Sequence, residues 1–276
     1  MRTRLCRFAY PDSMPVTFLA HQAPVLPIAR RWPQLTDGIA LVVGSMAPDM
    51  AYVLNGSRFS VWAHGFPAVV LFCVPVTLLV SWLIARAVSP VLWDHLPQAG
   101  PLRLHDYRGM SVHRFRWVVA SVSALIGALS HVMLDHFTHE WGWFARHIDW
   151  YSTVVVHDFL GREWTVFRII QYSGHIVGTA VCLWLMARYG RAHWMAASAA
   201  KVEPYPVTVR SMGTLFAAVA AGLAVGTAWV LGDRSGSATD IIRVAAVTFA
   251  FLVAASFVLQ LTRARRVASV SPARRA

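Results

Sequence analysis

The residues with the clearest capacity for chemistry lie in one stretch, GALSHVMLDHFTH (127–139). His131 and Asp135 are four positions apart, so on a helix they share a face, and His139 follows one turn later. An imidazole and a carboxylate at this spacing can bind a divalent ion, as the two histidines of an HExxH helix do. Neutral imidazole with carboxylate suits zinc, manganese or iron better than magnesium or calcium. The spacing equally allows a simpler interpretation, in which His131 and Asp135 only pair with each other.

Long apolar segments must position these side chains. Of the 276 residues, 57% are hydrophobic and 14% are charged, whereas a typical soluble domain is about 25% charged. A bilayer core of about 30 Å requires roughly 20 apolar residues per helix. The sequence therefore predicts an all-α, polytopic membrane helix bundle. Six helices are predicted, near 37–54, 64–88, 117–138, 166–188, 211–232 and 241–261.

The placement of the basic residues explains the net charge of +12. Lys and Arg concentrate before Thr36, in 86–116, in 188–210 and after Leu261. With six spanning helices, all four basic segments fall on one side, which the positive-inside rule makes the cytoplasm. We therefore predict a multi-pass protein of the cytoplasmic membrane with both termini in the cytoplasm. Membrane lipids are its expected partners, and nucleic acid is not expected to bind.

The chain divides into five predicted regions. These are an N-terminal extension (1–14), a membrane domain with the His/Asp cluster (15–188), a cytoplasmic linker (189–210), two packing transmembrane helices (211–261) and a basic cytoplasmic tail (262–276). Pro24 and Pro27 interrupt the apolar segment 16–31, so we expect an interfacial or re-entrant piece there rather than a span. Met14 is a second candidate start, and no cleaved signal peptide is expected, because the N-terminus lacks an apolar core.

The predicted topology brings polar side chains from separate segments to the outer side of the bundle. The side chains expected there are those of Asp49, His64, His131, Asp135, His139, Gln171 and His175. Scattered buried histidines would not be expected to gather at one depth, so the convergence favours a site. His21 lies on the inner side in this topology. It reaches the site only if residues 15–31 enter the membrane or if the first hydrophobic segment does not span.

Several short motifs occur in an order that resembles a known family. They are VTFLAHQAPVLP (16–27), GSMAPDM (44–50), HG (64–65), GALSHVMLDHFTH (127–139), GWF (142–144) and QYSGHIVG (171–178). From about Met14 to about Met186, the chain resembles the bacterial membrane proteins grouped as domain of unknown function 4184. That family has no established activity, but its pattern is similar to that of inner-membrane metal-dependent hydrolases. By this resemblance the metal ligands are His21, Asp49, His64, His131 and Asp135, with His139 a further candidate.

Two positions depart from the family pattern. Gly65 stands where a serine is frequent, and Tyr172 stands where a histidine is common, with His175 nearby. The first change should be tolerated. The second bears on any metal ligand that the fourth predicted helix contributes.

Two classes of function are compatible with these residues. One is metal-assisted hydrolysis of a phosphoester, in a lipid or lipid-linked substrate at the outer face, with His64 or His139 as ligand or general acid–base. The other is a non-catalytic membrane protein that uses the cluster as a structural metal site, a polar network or part of a transport path. The inner parts of the third and fourth helices, WVVASVSALIG and CLWLMAR, carry no group that relays protons, which disfavours a proton pathway.

Overall fold

The computed structural model describes residues 18–158, 161–233 and 237–270, so the predicted extension and the end of the predicted tail lie outside the described residues. The α-helices are α1 (Phe18–Gln22), α2 (Val25–Arg31), α3 (Gly38–Gly44), α4 (Ala47–Met50), α5 (Phe66–Ala68), α6 (Val74–Leu83), α7 (Leu92–His95), α8 (Trp117–Thr138), α9 (Trp143–His147), α10 (Val166–Arg191), α11 (Ala196–Ala199), α12 (Val209–Asp233) and α13 (Ser237–Val270). Two short strands, β1 (Val154–Val156) and β2 (Trp164–Thr165), pair antiparallel in the loop before α10. The predicted all-α class is confirmed.

Segments of 3₁₀-helix and π-helix join these elements. Turns of 3₁₀-helix occupy Ala51–Leu54, Gly100–Leu102, Leu104–Val112 and Asp149–Ser152. Two π-helical segments, Val69–Cys73 and Ile84–Val88, extend α5 and α6 into one continuous helix. The 3₁₀ turns lie in the connections between the long helices, where a tighter local winding suits short segments.

Within the described part of the chain, five helices are long and apolar enough to cross a membrane. They are Phe66–Val88, Trp117–His147, Val166–Arg191, Val209–Gly232 and Thr239–Arg265. Large apolar side chains on them face outward, and Leu71 and Phe216 are 78% and 77% exposed. Because soluble proteins rarely expose so much apolar surface, these outward faces suit lipid. The protein is a multi-pass integral membrane protein.

The first predicted span, 37–54, is not one of these five helices, so the expectation of a continuous helix there is wrong. Helix α3 ends at Gly44, and the chain restarts as α4 with Pro48 in its first turn. Pro48 has no N–H to donate to the carbonyl oxygen of Gly44 four residues earlier, so the helical hydrogen bonding is interrupted where α3 ends. We call residues 37–54 the broken segment.

One end of the bundle, called the basic end below, is formed around the connection 86–116. Arg86 donates a hydrogen bond to the carbonyl oxygen of His113 at 3.0 Å. Near the end of α13, Gln260 donates to the carbonyl oxygen of Ala87 at 2.8 Å. The connection 86–116 and the last part of α13, both rich in arginine, therefore meet at the same end of the bundle.

The broken segment runs from the basic end to the opposite end of the bundle. At its start, Asp37 accepts a hydrogen bond from Nε2 of His113 at 2.7 Å. Just after its end, Asn55 donates to the hydroxyl of Thr239 at 3.2 Å. Thr239 lies near the beginning of α13, about 30 Å along that helix from the basic end. The chain thus passes through the bundle at this segment without forming a continuous helix.

Helices α3 and α8 pack with their backbones in contact. A Cβ atom on Gly127 would lie 2.4 Å from the carbonyl oxygen of Leu41, and one on Gly44 would lie 2.6 Å from that of Ala124. No real Cβ approaches a carbonyl oxygen so closely, so only glycine allows this approach. The contact brings the end of α3 and the start of α4 against the half of α8 that carries His131.

Residues 18–31 enter the bundle as the short helices α1 and α2, which is one of the arrangements expected for this segment. Helix α1 packs on α10, where a Cβ on Gly178 would lie 2.8 Å from the Cβ of Ala20. Helix α2 buries Val25 and Ala29, and Ala29 faces Gly38 at the start of α3. His21 is thereby carried into the interior of the bundle.

Candidate metal centre

Four side chains from three segments meet in the interior of the bundle. Asp49 comes from α4, His64 precedes α5, and His131 and Asp135 lie one turn apart on α8. One ligand atom from each of the four lies within 4.8 Å of those of the other three. His131 and Asp135 are fully buried, His64 is buried, and the Asp49 side chain is 21% exposed. We call these four residues the quartet.

The distances within the quartet are those of a coordination shell. Nε2 of His64 and Nε2 of His131 lie 3.1 and 3.2 Å from Oδ2 of Asp135. The same two nitrogens lie 3.7 and 3.5 Å from Oδ1 of Asp49. A tetrahedral ion with bonds of about 2.0–2.1 Å separates its ligand atoms by about 3.3–3.4 Å. The four measured separations lie on both sides of that value, so these residues fit a metal ion.

The break in the first segment orients His131. Helix α3 ends at Gly44, and the carbonyl oxygen of Ser45 accepts a hydrogen bond from Nδ1 of His131 at 2.8 Å. With Nδ1 protonated in this bond, Nε2 keeps its lone pair and faces Asp49 and Asp135. Metal-binding histidines usually donate their second ring N–H to a carbonyl or carboxylate in this way.

Several buried atoms at the centre of the cluster have no hydrogen-bond partner within the described residues. They include Nε2 of His64, Nε2 of His131 and Oδ1 of Asp135. A buried polar atom without a partner costs about 1–3 kcal/mol, and more for a charged group. Two neutral imidazoles cannot neutralise two buried carboxylates, so the charges call for either protons on the imidazoles or a divalent cation, and a cation could also satisfy the lone pairs.

The two remaining predicted ligands lie against the other oxygen of Asp135. Nε2 of His21 is 3.8 Å and Nδ1 of His139 is 3.6 Å from Oδ1 of Asp135. The ring of His21 stacks on that of His131 at 3.9 Å, and Nε2 of His139 lies 3.1 Å from the amide nitrogen of Gln171. The structure therefore brings all six sequence-predicted ligands into one cluster.

The electrostatic environment differs between two histidines outside the spanning helices. Burial, followed by the proximity of His131, lowers the pKa of His21 to about 3. Burial also acts to lower the pKa of His64, but the carboxylates of Asp135 and Asp49 outweigh it and raise the pKa above its ordinary value. At neutral pH His21 is therefore neutral, the form in which an imidazole can bind a metal, whereas the raised pKa of His64 means that a metal would compete there with a proton.

Two tryptophans that the sequence did not single out as site residues cover the cluster. The ring of Trp141 lies 5.3 Å from that of His64 and 5.4 Å from that of His139. Trp62 meets Trp141 edge-on at 5.3 Å and lies 5.2 Å from His64. Trp141 follows His139 closely in the run HEWGWF (139–144), and no spacing signal in the sequence identified Trp62.

The other histidines of the outer region point elsewhere. His136 accepts a hydrogen bond at Nδ1 from the backbone N–H of Trp143 at 3.1 Å, as its position on the opposite face of α8 predicts. His147 also bonds to Trp143, through that residue's carbonyl oxygen. His157 lies 3.5 Å from Glu163, with both side chains exposed. These three histidines stay outside the cluster.

One family match accompanies this geometry. Residues 14–262 match the family described as Domain of unknown function (DUF4184). The chain belongs to this family. The match extends past about Met186, where the resemblance seen in the sequence ends, and includes both C-terminal helices. No curated protein and no solved structure matches the chain.

Proposed function

We propose that this protein is a metal-dependent hydrolase of the bacterial cytoplasmic membrane and that the quartet holds its divalent ion. The observation that carries the proposal is the convergence of four ligand atoms, two of them nitrogens without any other partner among the described residues. Two carboxylates and two neutral imidazoles balance one divalent cation. Zinc, manganese and iron suit this ligand set.

A divalent ion bound there would polarise a phosphoester oxygen and lower the pKa of a water molecule toward neutrality. His139 is the better candidate for general acid–base, because Nε2 of His64 lies within the quartet itself. The amide of Gln171 lies 3.1 Å from Nε2 of His139 and the hydroxyl of Thr138 lies 2.9 Å from Nδ1, so the ring is held in one orientation beside Asp135. In that position His139 would accept a proton from the attacking water and return it to the leaving oxygen of the substrate.

The location of the quartet favours a lipid or lipid-linked substrate. His131 lies fourteen residues, about 21 Å, along α8 from Trp117 at the basic end. With the basic end in the cytoplasm, as the positive-inside rule requires, the site lies in the outer half of the membrane. The broken segment completes a sixth passage of the chain, which is consistent with both termini in the cytoplasm. Trp62 and Trp141 limit access of bulk water to the site.

A structural metal site is the second candidate function. The hydrogen bond from His131 to Ser45 and the contacts of Asp135 with His21 and His64 join separate segments of the chain. An ion at this point would lock those segments together whether or not any reaction took place. Transport has weaker support, because helix α8 between Trp117 and Ser130 carries no ionisable side chain that would continue the path.

The decisive test is the metal content of the detergent-purified full-length protein beside the variant His131→Ala/Asp135→Ala. We expect at least one zinc, manganese or iron ion per wild-type chain and close to none in the double variant. The control His136→Ala removes a neighbouring histidine of the same helix that faces away from the quartet, and it should keep its metal.

Three outcomes are informative. Metal in the wild type that the double variant loses, together with hydrolysis of phosphoesters in lipid vesicles, supports the enzyme. If the wild type holds metal that the double variant loses, but no phosphoester in the vesicles is hydrolysed, the hydrolase is rejected and the structural metal site is supported. No metal in the wild type, after purification without chelator and after reloading, rejects both functions and leaves a hydrogen-bonding cluster.

A further inference from the structure

The carboxylate of Asp135 faces different histidines with its two oxygens. Oδ2 lies 3.1 Å from His64 and 3.2 Å from His131, within the quartet. Oδ1 lies 3.8 Å from His21 and 3.6 Å from His139, outside the quartet. Oδ1 is buried and has no hydrogen-bond partner within the described residues. One ion in the quartet would therefore leave half of this carboxylate, and His21 beside it, without a role.

The stacked rings of His21 and His131 indicate what Oδ1 of Asp135 can bind. Their centroids are 3.9 Å apart and their planes differ by 22°. Each ring directs its Nε2 toward a different oxygen of Asp135. Side-by-side rings cannot point two lone pairs at one ion in a tetrahedral arrangement. They can serve two ions side by side, and the ions of two-metal sites are about 3.5–4 Å apart.

A further histidine that no prediction included as a ligand lies beside this second position. His175 comes from α10, and its ring meets that of His21 edge-on at 6.2 Å. Two imidazoles on one ion have ring centroids about 5 Å apart at a tetrahedral angle and up to about 6.5 Å apart at wider angles, given metal–nitrogen bonds of about 2.1 Å. Nε2 of His175 is buried and also has no partner within the described residues.

We infer that the cluster holds a second divalent ion, bound by Oδ1 of Asp135, His21 and His175, so that Asp135 bridges two ions. The inference rests on the proposed function for its first ion, which the quartet binds. Carboxylate-bridged pairs of ions suit phosphoester hydrolysis, because one ion orients the attacking oxygen and the other stabilises the leaving oxygen.

Metal stoichiometry tests the inference without any need for an activity assay. The full-length protein in detergent is reloaded with Zn²⁺ or with Co²⁺ alone, and bound metal is counted per chain. We expect two ions in the wild type and one in His21→Phe, which keeps an aromatic ring stacked on His131 but cannot bind metal. His175→Ala should also hold one ion. His136→Ala, the control on the opposite face of α8, should hold two.

The Co²⁺-loaded protein provides an independent reading of the distance between the ions. Two Co²⁺ ions bridged by one carboxylate couple magnetically, so the electron paramagnetic resonance signal per ion should be weaker in the wild type than in His175→Ala. An unchanged signal per ion would contradict a bridged pair.

The outcomes separate the second ion from the first. One ion in the wild type overturns the inference and leaves the proposed function intact, whereas no ion overturns both. If His21→Phe and His175→Ala both still bind two ions with unchanged affinity, the second ion lies elsewhere, and its assignment to these residues is overturned. If His21→Phe does not fold, His175→Ala and the wild-type stoichiometry still decide.

Discussion

Two helix pairs of this protein pack in the same manner, but only one of them builds a site. In the α3–α8 pair, a Cβ on Gly127 would lie 2.4 Å from the carbonyl oxygen of Leu41. In the α12–α13 pair, a Cβ on Gly222 would lie 2.6 Å from the Cα of Thr248. Small residues allow close approach of membrane helices in both pairs. Close packing by itself therefore does not explain the cluster.

The difference lies in the continuity of the helices. Helices α12 and α13 run unbroken for 25 and 34 residues, so their internal carbonyl groups are used within the helix. Helix α3 stops after seven residues, which frees the carbonyl of Ser45 for His131 and turns Asp49 toward α8. A helix break inside the membrane is tolerated where protein covers it. The comparison indicates that the broken segment is what converts a packing contact into a site.

The largest effect is expected when the α3–α8 contact is forced apart. Gly127→Val should destabilise the protein by about 1–3 kcal/mol, because the added carbons overlap backbone atoms. It should also lower the metal content well below that of the wild type, because α3 moves Ser45 and Asp49 away from α8. Thermal unfolding in detergent and elemental analysis of the purified variant measure the two effects.

Gly222→Val is the matched control in the α12–α13 pair. It should cost a similar free energy of unfolding, because its Cβ meets backbone at a similar distance. Its metal content should equal that of the wild type. Loss of metal in both variants would show that the site depends on general packing rather than on the broken segment.

A smaller effect is expected when a residue that only orients a side chain of the cluster is removed. Gln171→Ala removes the amide next to Nε2 of His139, so one of the contacts that hold this ring beside Asp135 is lost. We expect metal affinity to fall about 10-fold, the lower end of the range for such neighbours. Titration against a chelating indicator measures the change. Ser173→Ala, whose exposed hydroxyl bonds to Ile169 on the same helix, should leave the affinity unchanged.

At the basic end, Asp37 caps α3 without touching the cluster. Its carboxylate accepts hydrogen bonds from the backbone N–H of Ala40 at 3.0 Å and from His113 at 2.7 Å. Asp37→Ala should cost about 1–2 kcal/mol of stability, the usual value for an N-cap, while metal content stays unchanged. Asp37→Asn keeps the acceptor and should lose less. Equal losses in the two variants would exclude the cap as the cause.

The smallest effect is expected near the end of α13. Arg263 lies 3.0 Å from Glu203, whose side chain is 85% exposed. Because exposed ion pairs contribute little, Arg263→Gln should change the free energy of unfolding by less than about 0.5 kcal/mol and leave the metal content unaltered. A change in the free energy of unfolding larger than about 1 kcal/mol, measured by denaturant titration, would show that this pair contributes more than an ordinary exposed ion pair.

Much of the fold was predictable because bilayer physics leaves few alternatives. Apolar runs near 20 residues predicted five spanning helices that the structure contains, since lipid offers no partner for an open backbone. The first predicted span, 37–54, was predicted wrongly as a continuous helix. Helix α3 ends at Gly44, which lies against the backbone of Ala124, and the chain restarts with Pro48 in the first turn of α4.

The sequence by itself indicated that most of the cluster gathers at one depth, because ionisable side chains are too costly in the membrane to occur there without partners, and the family resemblance added His21. Six predicted ligands from different segments did converge. Only the tertiary structure decided how they are arranged. The division of histidines between the two oxygens of Asp135, the carbonyl of Ser45 and the cover by Trp62 and Trp141 all depend on contacts between distant segments. Such contacts follow from backbone approach in three dimensions, and no local spacing in the chain records them.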